Sequence, residues 1–227
     1  MSGPLSAPAS GPEPPASGAG STRGGRVGVL GGTFDPIHVG HLVIAEEARE
    51  ALGLERVVFV PAARPPHRAA PTGASAEDRA AMVELAVSDH PFFSVDRLEL
   101  ERSGPSYSVD TLTILAERER GAGRDPDLWF ILSAEALAGL PTWRSPARIL
   151  ELARLAAVPR PGAAMPDRAW VEAQFPGCGD RVRFLDGPLL PVSGTAVRAR
   201  AAAGRSLRYL VPDAVRAYIA DHGLYRS

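Results

Sequence analysis

A short turn between an apolar strand and an amphipathic helix constrains this chain more than any other sequence feature. Residues 27–30 form an apolar run, residues 31–41 (GGTFDPIHVGH) follow, and apolar side chains then recur at helical spacing. Adjacent glycines let the backbone approach a ligand, and the helix start presents unpaired N–H groups to an anion. His38 and His41 add two donors at the same place. We call residues 31–41 the glycine–histidine turn and predict that it binds phosphate, with a nucleotide as the expected ligand.

Three other kinds of site fit this turn less well. A dinucleotide fingerprint needs G-x-G-x-x-G, whereas here the glycines are adjacent and the sixth position is Pro36. A P-loop needs a lysine, and all 25 basic residues of the chain are arginines. A zinc site would need partners for the two histidines, and no His-Glu-x-x-His pattern or cysteine pair occurs, so no protein-bound metal is expected. Helix-capping histidines stay open as a structural alternative, although that alternative leaves the glycines and Asp35 unexplained.

Composition indicates one globular domain with an N-terminal tail. With 227 residues and 45% hydrophobic content the chain can bury one core, which we assign to residues 25–227. Residues 1–24 are rich in Pro, Gly, Ser and Ala, so we expect a disordered tail. We find no secretory signal and no apolar stretch of about 18 residues, which predicts a cytoplasmic protein without a membrane partner. The net charge of -1 argues against a nucleic-acid partner. Oligomeric state stays open.

Alternation of strands and helices predicts an α/β fold with a doubly wound, mostly parallel sheet. After the first strand, we predict strands at 57–60, around 93–100, 128–132, 155–158 and 182–185, and helices at 42–52, 77–87, 108–120, 147–153, from about Thr195 and from about Pro212. Ligands of such sheets bind beyond the carboxyl ends of the strands. The glycine–histidine turn and the segment 133–135 both follow predicted strands, so we expect them to meet in one cleft.

The turn resembles the G-G-T-F-D-P-x-H-x-G-H signature of the nucleotidylyltransferase superfamily, and its full form is most similar to the bacterial nicotinate-nucleotide adenylyltransferase family. The resemblance runs from about residue 26 to residue 225. It implies a Rossmann-like fold and adenylyl transfer from ATP, accompanied by Mg²⁺, to nicotinate mononucleotide in NAD biosynthesis. The alternatives are another phosphate acceptor, such as nicotinamide mononucleotide, and a non-catalytic nucleotide-binding sensor.

The resemblance also implies an ATP subsite and a catalytic set. Residues 193–198 (SGTAVR) are similar to the family's I-S-S-T-x-x-R, with Gly194 in place of the second serine. Residues 133–135 (SAE) stand where the family has Gly-Ala-Asp. The implied catalytic residues are His38, His41 and Arg198. The implied ATP-binding residues are Gly31, Gly32, Thr33, Phe34, His38, Gly40, His41, Ser133, Glu135, Ser193, Thr195 and Arg198.

An acceptor subsite is implied by three further segments. Residues 106–112 (SYSVDTL) resemble the family's S-Y-T-x-D-T-L, and residues 65–68 (PPHR) resemble its P-P-H-K. Trp143 matches the family tryptophan that stacks on the nicotinate ring. The implied acceptor-binding residues are Asp35, Arg68, Ser108, Trp143 and Arg144.

Overall fold

The computed structural model describes residues 22–66 and 73–226, in which six strands are interspersed with helices. The strands are β1 (Thr22–Gly32), β2 (Arg56–Pro61), β3 (Phe93–Val95), β4 (Arg124–Ser133), β5 (Ala153–Val158) and β6 (Val182–Phe184). The helices are α1 (Val39–Leu52), α2 (Ala76–Val87), α3 (Leu98–Glu101), α4 (Ser108–Gly121), α5 (Ala134–Gly139), α6 (Pro146–Leu152), α7 (Arg168–Gln174), α8 (Gly194–Ala202) and α9 (Asp213–Asp221). Short 3₁₀ turns lie at Leu140–Thr142 and Gly179–Arg181.

The six strands form one sheet in the order β3-β2-β1-β4-β5-β6, and every neighbouring pair is parallel. The direction of winding reverses between β1 and β4, because the chain moves outward to β3 on one side and to β6 on the other. Such a reversal opens a crevice at the carboxyl ends of the two central strands. The predicted doubly wound α/β fold is therefore confirmed.

Helices cover both faces of the sheet, which explains the continuous apolar strands. Along β2, Val57 and Phe59 pack on one face and Val58 and Val60 on the other, and all four are buried. One face packs against α1, α2, α8 and α9, and the other packs against α3 to α7. No helix in residues 22–66 and 73–226 is long and apolar enough to cross a bilayer.

Local differences from the sequence prediction concern short elements. The strand predicted around residues 93–100 ends at Val95, because the Asp96 carboxylate accepts the Leu98 N–H and opens α3. Helices α5 and α7 were not predicted, and each begins at a capping side chain, Ser133 and Asp167 respectively.

The predicted boundary of the N-terminal tail also needs correction. Thr22 pairs with Arg124 and Arg23 with Asp125, so β1 begins inside the segment that we assigned to the tail. The rest of the predicted tail, residues 1–21, lies outside the described residues.

Candidate active site

A cleft of about 840 Å³ lies at the carboxyl edge of the sheet, beyond β1 and β4. Its volume falls in the range of small-molecule sites. The segments expected to meet do so here: the glycine–histidine turn, Ser133 at the end of β4, Ser193 before α8, and Thr195 and Arg198 within α8 all line the cleft. Sequence-distant residues thus surround one space.

The glycine–histidine turn is shaped by contacts that leave little room for side chains. A Cβ at Gly32 would lie 3.0 Å from the Phe34 ring, and one at Gly40 would lie 3.1 Å from His38 Nδ1. Phe34 has a φ of 48°, and its buried ring contacts His41 edge-on at 5.0 Å. The predicted ATP-binding residues Gly31, Gly32, Thr33, Phe34 and Gly40 all line the cleft.

His38 and His41 form a stacked pair at the start of α1. Their ring centroids are 3.7 Å apart, and the His38 backbone N–H donates to His41 Nδ1 over 3.2 Å. That bond assigns the proton of the neutral His41 ring to Nε2. Both rings line the cleft, so His41 can offer an N–H donor to a bound oxygen.

Both histidines are uncharged at neutral pH. Burial, helped by the positive charge of Arg160, lowers the pKa of His38 from 6.5 to about 4. Burial also lowers the pKa of His41 well below 6.5, with smaller contributions from His38 and Arg160. The pair therefore acts through polar N–H groups, and the positive charge of the site comes from arginines.

Arg198 is held by the glycine–histidine turn. Its Nη1 donates to the Asp35 carbonyl oxygen over 2.6 Å, and its Nη2 donates to Thr195 Oγ1 over 3.3 Å. Ser193 caps α8 by accepting the Ala196 N–H. The N-terminus of α8 and one arginine thus lie beside the histidine pair, which suits an anion.

Gly194 stands where the family signature has a serine, and the structure gives a steric reason for the glycine. A Cβ at this position would lie 2.8 Å from the Asp35 carbonyl oxygen and 3.3 Å from Arg198 Nη1. The close approach of α8 to the turn therefore requires glycine here.

The Asp35 carboxylate has a structural task that differs from the predicted contact with the acceptor. Its side chain is 1% exposed and accepts the Gly73 and Ala74 N–H groups and the Tyr225 hydroxyl. Asp35 itself lines the cleft, so its contact with the acceptor stays a prediction, while its carboxylate is held by these protein donors.

Ser133 and Glu135 occupy different surroundings. Ser133 lines the cleft and caps α5, whereas Glu135 lies outside the lining, is about half exposed and pairs with Arg160 at 3.6 Å. Arg160 follows β5, lines the cleft and lowers the pKa of both histidines. Glu135 thus pairs with a cleft arginine, and its contact with ATP stays a prediction.

The predicted acceptor residues are partly brought together. Ser108, at the first position of α4, and Trp143 both line the cleft. Arg144 does not: its guanidinium lies 4.7 Å from the centre of the Tyr107 ring and 3.7 Å from Asp110. The remaining predicted acceptor residue, Arg68, lies outside the described residues.

Comparison with known proteins decides the family. Residues 29–200 match the model of the family described as cytidylyltransferase-like. A protein of Roseiflexus sp. (strain RS-1), named "Probable nicotinate-nucleotide adenylyltransferase", is 50% identical over 200 residues, which are 88% of this chain and 98% of the relative. A relative of the same name from Dehalococcoides mccartyi (strain ATCC BAA-2266 / KCTC 15142 / 195) is 43% identical over 204 residues, with 88% and 97% covered. The chain belongs to the nicotinate-nucleotide adenylyltransferase family.

Solved structures agree with the fold of this adenylyltransferase family. The Plasmodium falciparum nicotinic acid mononucleotide adenylyltransferase complexed with NaAD superimposes with a TM-score of 0.72 at 14% identity. The match covers 89% of this chain and 98% of the parasite chain. The complex of that enzyme with APC gives a TM-score of 0.70 at 13% identity.

Two cleft residues of this family member were missed from the sequence. Arg160 lies two residues after the end of a predicted strand, so its position at the carboxyl edge of the sheet could have been recognised from the sequence. Glu99 is buried, accepts the Thr111 hydroxyl over 2.5 Å and lines the cleft near Ser108. Burial raises its pKa against the lowering effect of its hydrogen bonds to Thr111 and Ser106. No periodic pattern distinguishes it from its charged neighbours.

Proposed function

We propose that this chain transfers the adenylyl group of ATP to nicotinate mononucleotide, producing nicotinate adenine dinucleotide and pyrophosphate for NAD biosynthesis. The observation that carries the proposal is the meeting, around one cleft, of the histidine pair, Arg198 with the start of α8, and the Ser108–Trp143 region. Anion-binding groups suit a triphosphate, and an aromatic ring with a hydroxyl suits a pyridine nucleotide.

The reaction joins two anions, so its main requirements are position and charge. An ionised phosphate oxygen of the acceptor attacks the α-phosphorus of ATP. The bond from that phosphorus to the oxygen bridging to the β-phosphate breaks, and its electron pair leaves with pyrophosphate. The attacking oxygen carries no proton, so no general base is needed. Catalysis then rests on alignment and on donors directed at the phosphate oxygens.

We assign the donors by their places in the cleft. His38 and His41, neutral at pH 7, stabilise the α-phosphate and the bridging oxygen through N–H groups. Arg198 and the N-terminus of α8 hold the β- and γ-phosphates. Arg160 adds a positive charge on the β5 side. Ser108 and Trp143 bind the acceptor.

Mg²⁺ is part of the proposal as the ion that accompanies ATP and neutralises its triphosphate. Within the described residues, no group of three His, Cys, Asp or Glu side chains could hold a metal ion. We assign the ion's ligands mainly to ATP phosphate oxygens and water. A cytoplasmic location and the absence of a nucleic-acid partner remain parts of the proposal that fractionation and binding assays test.

The first test measures pyrophosphate release from Mg-ATP with nicotinate mononucleotide, nicotinamide mononucleotide, phosphopantetheine or no acceptor. We expect release to prefer nicotinate mononucleotide and to fall about 10²–10³-fold in His41→Ala, since a donor to the transition state is lost. His222→Ala, which removes an exposed histidine from the end of α9, is the matched control and should retain activity. Release that prefers another acceptor reassigns the substrate, whereas ATP binding without release from any acceptor supports the sensor alternative.

A further inference from the structure

The Asp35 carboxylate joins four parts of the chain behind the cleft. It accepts the N–H groups of Gly73 and Ala74 at 2.9 and 3.2 Å, which fixes the backbone just before α2. It also accepts the Tyr225 hydroxyl at 2.9 Å and lies 3.5 Å from Arg198 Nη1. The carboxylate is buried, so each donor matters to its position.

Tyr225, close to the C-terminus, packs closely against the residues around the Asp35 carboxylate. A Cβ at Gly73 would lie 2.8 Å from its ring, and its backbone has a φ of 61°, in the left-handed region that favours glycine. Burial first, and then the neighbouring Asp35 charge, raise the pKa of its hydroxyl. The hydroxyl therefore stays protonated and serves as a donor to Asp35.

Arg198 depends on Asp35 for its place. The same guanidinium nitrogen donates to the Asp35 carbonyl oxygen at 2.6 Å and faces the Asp35 carboxylate at 3.5 Å. The side chain remains 26% exposed and lines the cleft. A movement of the Asp35 carboxylate therefore changes its electrostatic attraction for the Arg198 guanidinium, which we assign to the ATP phosphates.

From these contacts we propose that Tyr225 is a positioning residue for phosphate binding. The Tyr225 hydroxyl donates a hydrogen bond to the Asp35 carboxylate and so weakens the attraction of that carboxylate for Arg198. Without the hydroxyl, the buried carboxylate has one donor fewer and draws the Arg198 guanidinium away from the cleft. This inference rests on the proposed function, because it takes Arg198 as a phosphate ligand.

The test measures binding of Mg-pyrophosphate to the full chain by calorimetry, which needs no turnover. Tyr225→Phe removes one oxygen and should weaken binding about three- to tenfold, the effect expected when one hydrogen bond is lost. Tyr218→Phe is the matched control, since the Tyr218 hydroxyl donates to Asp78 at 3.0 Å on the face of α9 that packs against α2. Its binding of pyrophosphate should be unchanged, although both variants lose a tyrosine–aspartate hydrogen bond.

A double-mutant cycle separates positioning from a general loss of stability. Arg198→Met should weaken pyrophosphate binding by itself, and adding Tyr225→Phe should then weaken it no further. The KM for ATP should rise in Tyr225→Phe by a factor similar to that of pyrophosphate binding. Thermal melting of each variant checks that the protein is folded at the temperature of measurement.

The outcomes of the cycle distinguish the two proposals. Unchanged pyrophosphate affinity in Tyr225→Phe, or an equal loss in the presence and absence of Arg198, overturns the positioning role and leaves the proposed function intact. Unchanged affinity in Arg198→Met overturns the assignment of Arg198 as a phosphate ligand, and the inference with it.

Discussion

At the scale of single residues, different side chains of the cleft supply the neutral hydrogen-bond donors and the positive charge. His38 is buried, His41 is half-buried and the two rings are stacked and neutral, so they offer directed N–H donors without a net charge. Arg160 and Arg198 supply the positive charge. A chain without lysine must make every such charge with a guanidinium, which holds several oxygens in a fixed geometry.

The low pKa of His38 predicts a measurable dependence of stability on pH. In the unfolded chain His38 binds a proton near pH 6.5, whereas in the folded chain it does so near pH 4. Between these values the unfolded state binds more protons, so the free energy of unfolding falls as pH decreases from about 6.5 to 4. His38→Asn should lower that slope by about 1 kcal/mol per pH unit.

Urea denaturation of both proteins between pH 4 and 7 measures the slope. An identical slope in His38→Asn would contradict the buried, neutral state of the ring. A difference in the free energy of unfolding that does not vary with pH would reflect only the change in packing.

Gly194 provides a steric prediction at the same scale. In Gly194→Ala the new methyl group would lie 2.8 Å from the Asp35 carbonyl oxygen, so the turn or α8 must shift. The shift should lengthen the Arg198 hydrogen bond and raise the KM for ATP about three- to thirtyfold, because part of the roughly 1.5–3 kcal/mol of a charged hydrogen bond is lost. Gly121→Ala is the control, because a Cβ at Gly121 has no atom within 4 Å. Equal KM values for ATP in both variants would refute the steric argument.

At the scale of elements, α2 fixes the loops at the carboxyl edge through one arginine. Arg79 is 1% exposed, and its Nη1 donates to the carbonyl oxygens of Thr33 and Ala62. Its Nη2 donates to the Ala63 carbonyl oxygen over 3.3 Å. One side chain therefore ties the glycine–histidine turn to the loop after β2.

Replacing that arginine should destabilise the whole domain. Arg79→Lys keeps a positive charge but cannot match the forked geometry, so buried carbonyl groups lose donors. We expect the free energy of unfolding to fall by about 2–4 kcal/mol. Arg97→Lys is the control, since Arg97 is partly exposed and bonds Glu77 and Glu84 at the surface. Arg97→Lys should lower the free energy of unfolding by less than about 1 kcal/mol. A similar decrease in both variants would contradict the role of Arg79.

The elements that the sequence predicts well are those with long, regular patterns. β2, β4 and β5 were recognised because buried parallel strands are continuous apolar runs. Helices α3, α5 and α7 span two turns or fewer, so they show little helical period, although α6 has the same length as α7 and was predicted. The role of Arg79 could not be predicted, because an arginine in a helix is usually solvated and its three acceptors come from distant loops.

At the scale of the whole molecule, the sheet order explains why the two ends of the chain share a site. β1 is central, so the glycine–histidine turn lies at the middle of the carboxyl edge. The last helices return to the face that carries α1 and α2, which brings Tyr225 to Asp35 across 190 residues. The family resemblance implied that the glycine–histidine turn and residues 193–198 share the ATP subsite, but the hydrogen bond between Tyr225 and Asp35 is visible only in the fold.

The assignment of a single domain with a separate tail predicts a sharp difference between two truncations. A chain that begins at residue 22 keeps every pair between β1 and β4, and we expect its melting temperature and its pyrophosphate release to match those of the full chain. A chain that begins at residue 27 loses the pairing of Thr22 and Arg23 with β4. It also loses the Arg26 hydrogen bond to the Leu52 carbonyl oxygen and the Arg26 ion pair with Asp127.

Those losses lie at the amino edge of the sheet, opposite the cleft. The melting temperature of the shorter chain should therefore fall by about 4–8 °C, as expected for a loss of roughly 2 kcal/mol in a domain of this size. The KM for ATP, measured well below the melting transition, should stay the same because no cleft residue has moved. A lower melting temperature already in the chain that begins at residue 22 would mean that residues 1–21 belong to the folded domain.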